Sequence, residues 1–228
     1  MTKLFVPLDV PDAVAAERIA DALRGLPVSL KVGSELFLAG GPDIVKRLQG
    51  KGFGIFLDLK FHDIPNTVES AVRQAAGLGV DFCTLHLSGG RKMLEAAAKA
   101  KGKTRLLGVT VLTSFNDADW GDLGERVGTG ASSVARSVEK LAAFAVECGL
   151  DGVVCSAHEL PVVRKAGASL YTMVPGIRPA GAATGDQARV VTPKEAKALG
   201  AKGIVVGRPI TQAADPRQAA ESVLAELQ

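Results

Sequence analysis

Cysteine is scarce in this chain. Cys83, Cys148 and Cys155 are the only three in 228 residues. They form no C-x-x-C pair and their number is odd, so no disulfide framework is in view and buried free thiols are expected. Long hydrophobic runs are also missing, and no apolar stretch is long enough to span a bilayer. The first residues, Met1-Thr2-Lys3-Leu4-Phe5-Val6-Pro7, lead almost directly into a strand-like run with no room for a signal peptide. A cytoplasmic location with no membrane partner is expected. An excess of one charge is lacking too. Lys and Arg number 27 against 24 Asp and Glu, a net charge of +3 with no basic tail or stripe, which speaks against a nucleic-acid partner. The three histidines, His62, His86 and His158, have no metal-ligand spacing such as H-x-x-x-H. Nor is there a P-loop, or a G-x-G-x-x-G after the first strand-like run, so the usual nucleotide-fold signatures are absent.

What the chain does have is alternation. With 47% hydrophobic residues it can build one sizeable core, and a single domain over 1–228 is expected. Short apolar runs predict strands at Leu4–Val10, Val28–Gly33, Gly54–Lys60, Asp81–Leu87, Arg105–Leu112, Gly152–Ser156, Tyr171–Ile177 and Gly203–Gly207. Between them, Ala-rich, charge-dotted segments predict helices, among them Asp12–Arg24, Pro65–Leu78, Gly90–Ala100, Ser133–Cys148, Ala157–Ala166 and Pro193–Leu199, with Asp215–Leu227 closing the chain. The strands do not alternate strictly between apolar and polar, as expected when helices cover the sheet. Eight β-then-α units of this size predict a single-domain α/β protein, a (β/α)8 TIM barrel. A doubly wound open sheet is the other arrangement weighed, and its Gly-rich first turn is replaced here by Leu8-Asp9-Val10-Pro11-Asp12. The Gly-rich stretch Pro175–Asp186 is too long for a plain turn and reads as a functional loop.

Barrel active sites lie at the C-terminal ends of the strands, so the polar residues there are the candidates. They are Asp9, Lys31, Asp58, Lys60, His86, Thr113, Arg178 and Gly207-Arg208, far too polar to be barrel filling. Asp58 and Lys60 are two apart on one strand and should face the same side, with Cα atoms about 6.5–7 Å apart. Lys31 can reach the same space from the neighbouring strand, and Asp63 could bring a second carboxylate. Two ammoniums and two carboxylates then sum to zero, the arrangement that lets such a cluster be buried. Gly207 and Arg208 sit where barrels often hold a phosphate, with Gln187 in the loop before them able to close over it. The residues alone point to a barrel enzyme using Lys/Asp chemistry on a phosphorylated substrate.

The segment Asp58-Leu-Lys60-Phe-His-Asp63-Ile-Pro-Asn-Thr67 resembles the signature of the bacterial orotidine 5′-phosphate decarboxylases. The resemblance continues through Pro-Leu-Asp9, Lys31-Val-Gly, Val-Leu-Thr113-Ser, Val-Pro-Gly-Ile-Arg178-Pro, Gly-Asp-Gln187 and Val-Gly207-Arg208-Pro-Ile-Thr, end to end and in order. It is weakest over Ser114–Gly130. The resemblance implies decarboxylation of orotidine 5′-monophosphate to UMP without cofactor or metal. It implies a charged set of Lys31, Asp58, Lys60 and Asp63, with Lys60 protonating C6 of the pyrimidine. It further implies that Asp9 and Lys31 hold the ribose and that Thr113 lies near the pyrimidine. Arg178, Gln187, Gly207 and Arg208 would hold the phosphate, and Asp63 and Thr67 would reach into the partner's site in a homodimer. The shorter D-x-K-x-x-D core is shared with metal-dependent sugar-phosphate decarboxylases and synthases, which would need Mg²⁺ on carboxylates. The Phe-His-Asp-Ile-Pro-Asn-Thr tail argues against those. A catalytically silent phosphate-binding barrel would be expected to have lost a member of the charged set, and none is missing.

Overall fold

The computed structural model describes residues 1–131, 133–179 and 191–228. In chain order its elements are β1 (Lys3–Pro7), α1 (Ala13–Leu23), β2 (Val28–Gly33), α2 (Ser34–Gly50), β3 (Ile55–Phe61), α3 (Pro65–Gly77), β4 (Phe82–His86), α4 (Arg91–Ala100), β5 (Arg105–Val109), α5 (Asp117–Arg126), α6 (Val134–Glu147), β6 (Gly152–Val154), α7 (Leu160–Ala166), β7 (Tyr171–Val174), α8 (Pro193–Ala198), β8 (Gly203–Val205), α9 (Arg208–Thr211) and α10 (Pro216–Glu226). The strands pair in sequence order and all in parallel, and β8 returns to β1 to close the barrel. The expected (β/α)8 TIM barrel is therefore the fold.

Local chemistry starts the helices where the sequence reading placed them. Asp12, Ser133, Thr192 and Asp215 are N-caps whose side chains accept from backbone N–H groups three residues on. Proline opens α3, α8 and α10, where its missing N–H costs no helical bond. Several strands end sooner than the apolar runs suggested. The Arg105–Leu112 run pairs only to Val109, and Tyr171–Ile177 only to Val174. Val111 and Ile177 beyond those ends are still buried. Apolarity reports burial rather than pairing, and the chain leaves the ladder at the rim while still packing against it. In Ser114–Gly130 the structure adds α5, which Asn116 caps by accepting from Asp119 N–H.

Two apolar layers result. Helices pack on the outside of the sheet through residues such as Ile19, Leu48, Val72, Leu94 and Val138. Inside the barrel, Phe5, Phe56, Phe82, Leu107, Met173 and Val205 form a separate plug. Its three phenyl rings meet edge to face, with centroids 5.5–6.3 Å apart. The guanidinium of Arg105, 3.9 Å above the Phe82 ring, covers the end of the plug at which the strands begin. Phe56 and Phe82 belong to the inward-facing set, so two residues on, Asp58 and Thr84 face inward as well, above the plug. Charge thus enters the barrel one layer above a sealed apolar floor.

Candidate active site

The polar cluster at the C-terminal rim is a chain of alternating charges. Lys31 Nζ lies 2.9 Å from Asp9 Oδ1 and 3.5 Å from Asp58 Oδ2. Lys60 Nζ donates to both Asp58 oxygens at 2.9 Å. Asp58 and Lys31 are nearly enclosed, with side-chain exposures of 12% and 11%, whereas Lys60 keeps 39%. Burial alone would raise the Asp58 carboxyl. The ammoniums of Lys31 and Lys60, with hydrogen bonds from Lys60 and Thr84, outweigh it and hold the group below its ordinary value of 3.8. A carboxylate is therefore kept ionised between two cations at the mouth of an apolar barrel.

The backbone that presents this pair is irregular. Phe56 and Leu57 pair with Phe82 and Cys83, but the next partner of β4, Leu85, meets Phe61. Asp58, Leu59 and Lys60 therefore stand opposite the single residue Thr84, a bulge in β3. Lys60 has φ +50° and is the one non-glycine residue in the left-handed region among the described residues. Such a conformation costs on the order of 1–3 kcal/mol and persists only where its surroundings hold it. The expected shared face of Asp58 and Lys60 is realised, through a bulge rather than an even strand. On β2, Gly33 provides the room: a Cβ there would lie 3.1 Å from Lys31 Nζ and 3.2 Å from Asp9 Oδ1.

Beneath and beside the charges is a cavity of about 170 Å³. Lys31, Asp58, Lys60 and Thr113 line it together with Phe56, Val109, Val111, Val154, Met173 and Val205. One side is ionic and the other is a smooth apolar wall. A larger cavity of about 640 Å³ lies beside it, between His62 and His86 and the helices α5 and α6. Among the described residues, Lys31, Asp58 and Lys60 converge on the smaller one, which makes it the candidate site. His62 and His86 face each other with ring centroids 5.4 Å apart. Burial, then His62 and Lys60, push the half-buried His86 below its ordinary value, which favours the uncharged ring. The three thiols are buried, as expected, and burial beside Asp58 pushes Cys83 up to about 12.

Lys31, Asp58, Lys60 and Thr113 therefore share one cavity, with Asp9 joined through Lys31. Asp63 does not join this group within its own chain. It is exposed, its Oδ1 accepts from Ile64 N–H, and it makes no ion pair among the described residues. Within the chain, Asp9 is the second carboxylate beside Lys31. Thr67 is exposed in the first turn of α3. Arg178 is buried just past β7, donating Nη1 to Ile177 O at 3.0 Å, and Arg208 is exposed at the start of α9 after β8. Gly207 passes close to β1: a Cβ would lie 3.1 Å from Pro7 Cγ. Gln187 lies outside the described residues. Sequence reasoning missed Thr84, although its place two residues before His86 on an inward face was a usable signal.

The profile described as the orotidine 5′-phosphate decarboxylase / HUMPS family matches residues 2–223. An orotidine 5′-phosphate decarboxylase of Halorhodospira halophila is 49% identical over 230 residues, covering 99% of this chain and 95% of that protein. Among solved structures, the orotidine 5′-phosphate decarboxylase of Lactobacillus acidophilus is 37% identical with a TM-score of 0.87 and full coverage of both chains. The enzyme of the same description from Pyrococcus horikoshii has a TM-score of 0.78 at 27% identity, with 98% of each chain covered.

Proposed function

This chain belongs to the orotidine 5′-phosphate decarboxylase / HUMPS family, and from that premise we propose that it converts orotidine 5′-monophosphate to UMP, the last step of pyrimidine nucleotide synthesis. The observation that carries the reading is the ionised Asp58 clamped between Lys31 and Lys60 over an apolar slot. The slot accepts a flat pyrimidine. Its charged edge meets the carboxylate that is to leave.

As the C6–carboxylate bond breaks, CO₂ departs and its bonding electron pair stays on C6. The Lys60 ammonium faces that carbon, stabilises the developing charge and passes it a proton. Water returns a proton to Lys60, so atoms and charge balance without metal or cofactor. Asp58 has two effects. It fixes the Lys60 ammonium by a two-oxygen contact, and it places a negative charge beside the carboxylate that the reaction disperses. The distant end of the substrate contributes through binding. Arg178, Gln187, Gly207 and Arg208 are proposed to hold the phosphate around the strands seven and eight end of the barrel, with Asp9 and Lys31 on the ribose and Thr113 by the pyrimidine. Energy from that grip is available to organise the charges around the reacting carbon.

The working unit is proposed to be a homodimer. Asp63 and Thr67 are exposed, and Asp63 makes no ion pair among the described residues, which supports service in a partner's site. No helix among the described residues is long and apolar enough to cross a membrane, and the cytoplasm is the proposed setting. The test is ultraviolet absorbance of the purified protein with orotidine 5′-monophosphate, before and after exhaustive chelation. Full activity after chelation is expected. Activity lost with chelator and restored by Mg²⁺ would favour metal-dependent chemistry on the same barrel.

A further inference from the structure

Thr84 faces the β3 bulge from β4 and is fully buried. Its hydroxyl makes two bonds with opposite sense. Oγ1 donates to Asp58 Oδ1 at 2.9 Å and accepts from Lys60 N–H at 2.9 Å. A hydroxyl has one proton to give, and a carboxylate can only accept, so the direction of both bonds is fixed. The same atom therefore ties the carboxylate to the backbone that carries the ammonium. It also replaces what the bulge removed: opposite an even strand, the Lys60 N–H would have met a backbone carbonyl of β4. The left-handed φ of Lys60 needs an outside restraint, and the Thr84 hydroxyl supplies one at its backbone N–H.

We infer that Thr84 is a positioning residue for the decarboxylation, setting Asp58 and Lys60 against each other and so aiming the Lys60 ammonium at C6. The inference rests on the proposed function of the same cavity. Thr84 itself is fully buried, does not line the cavity, and touches no substrate in this scheme. Its loss lets the bulge relax and the ammonium drift, while the phosphate and ribose contacts, carried by other strands, stay in place. A misplacement of about 1 Å is enough to cost about 10²-fold in rate. The loss therefore falls on kcat and spares KM.

Three variants test this against orotidine 5′-monophosphate. Thr84→Val keeps the shape and removes both bonds; kcat is expected to fall by about 10²-fold with KM within about threefold of wild type. Thr84→Ser restores the hydroxyl without the methyl and is expected to recover kcat to within about tenfold of wild type. Should Thr84→Val fail to fold by circular dichroism, Thr84→Ala, which needs no extra room, takes its place with the same expectation. Val or Ala variants that keep wild-type kcat overturn the inference. So does a Ser variant as slow as Val, because the methyl packing and not the hydroxyl would then matter. So does a loss confined to KM. A wild-type protein with no turnover of this substrate overturns the underlying functional reading instead, which keeps the two failures apart.

Discussion

At the scale of single residues, the site depends on a balance between burial and pairing. Asp58 is nearly enclosed and still ionised because two ammoniums and a hydroxyl face it. Lys60→Ala removes the proton donor and one of these partners. Its kcat is expected to fall by about 10²–10⁴-fold with circular dichroism unchanged. A variant retaining more than about a tenth of wild-type kcat would remove Lys60 from the centre of the chemistry. The pH dependence of stability follows from two depressed groups. The folded pKa of Asp58 lies below 3.8, so its contribution is complete above that value and lost as pH falls through the lower, folded one. His86 is likewise depressed below 6.5; the unfolded chain binds its proton first, and stability declines as pH falls from about 6.5 toward the folded value. Urea denaturation from pH 8 to 5 should show this decline, and His86→Gln should flatten it. An unchanged slope in the variant would assign the decline to other groups.

At the scale of elements, strand ends determine what the site can hold. β2 ends in Gly33, and the ion pair of Lys31 with Asp9 occupies the space a side chain would take. Gly33→Ala is expected to push that pair apart, lowering kcat/KM at least tenfold while shifting the melting temperature by only a few degrees, roughly 1 kcal/mol for a chain of this size. Wild-type kcat/KM in this variant would show that the pair can move without loss. The β3 bulge is a device of the same kind. The sequence reading placed Asp58 and Lys60 on one face by their spacing, and they do meet. Neither the bulge nor the left-handed Lys60 was legible, because no local signal marks a non-glycine residue that a neighbouring strand's hydroxyl holds there. Helix α5 was missed for a related reason. Its sequence, Asp117-Ala-Asp-Trp120-Gly-Asp-Leu-Gly-Glu-Arg126, has two internal glycines and little helix propensity. The Asn116 cap and the bond from Trp120 Nε1 to Ser137 Oγ on α6 help to hold it.

At the scale of the whole molecule, the exposed Asp63 leads to a prediction about assembly. If each chain lends its Asp63 to the other in a two-fold dimer, the contact is reciprocal. Lys60→Ala and Asp63→Ala should each be nearly inactive alone. In a mixed dimer one site carries both defects and the other combines an intact Lys60 with the partner's intact Asp63. Random mixing makes about half the dimers mixed and half of their sites competent, so about a quarter of full activity should return on refolding the two together. No rescue, with subunit exchange verified by differently tagged chains, would put Asp63 in its own chain's site or outside the chemistry.

The sequence by itself determined the number and order of β/α units, the strands that carry charge, and the membership of Lys31, Asp58 and Lys60 in one group. Those features are local: periodicity, caps and spacing along a strand are written in consecutive residues. Only the tertiary structure decided the rest. Closing β8 onto β1 and pairing β1 with β2 set Asp9 against Lys31, and the register of β4 on β3 placed the Thr84 hydroxyl between Asp58 and Lys60. Which side chains become neighbours across strands depends on register and closure. These are fixed by the packing of the whole barrel, where a buried carboxylate must find its partners wherever the fold brings them.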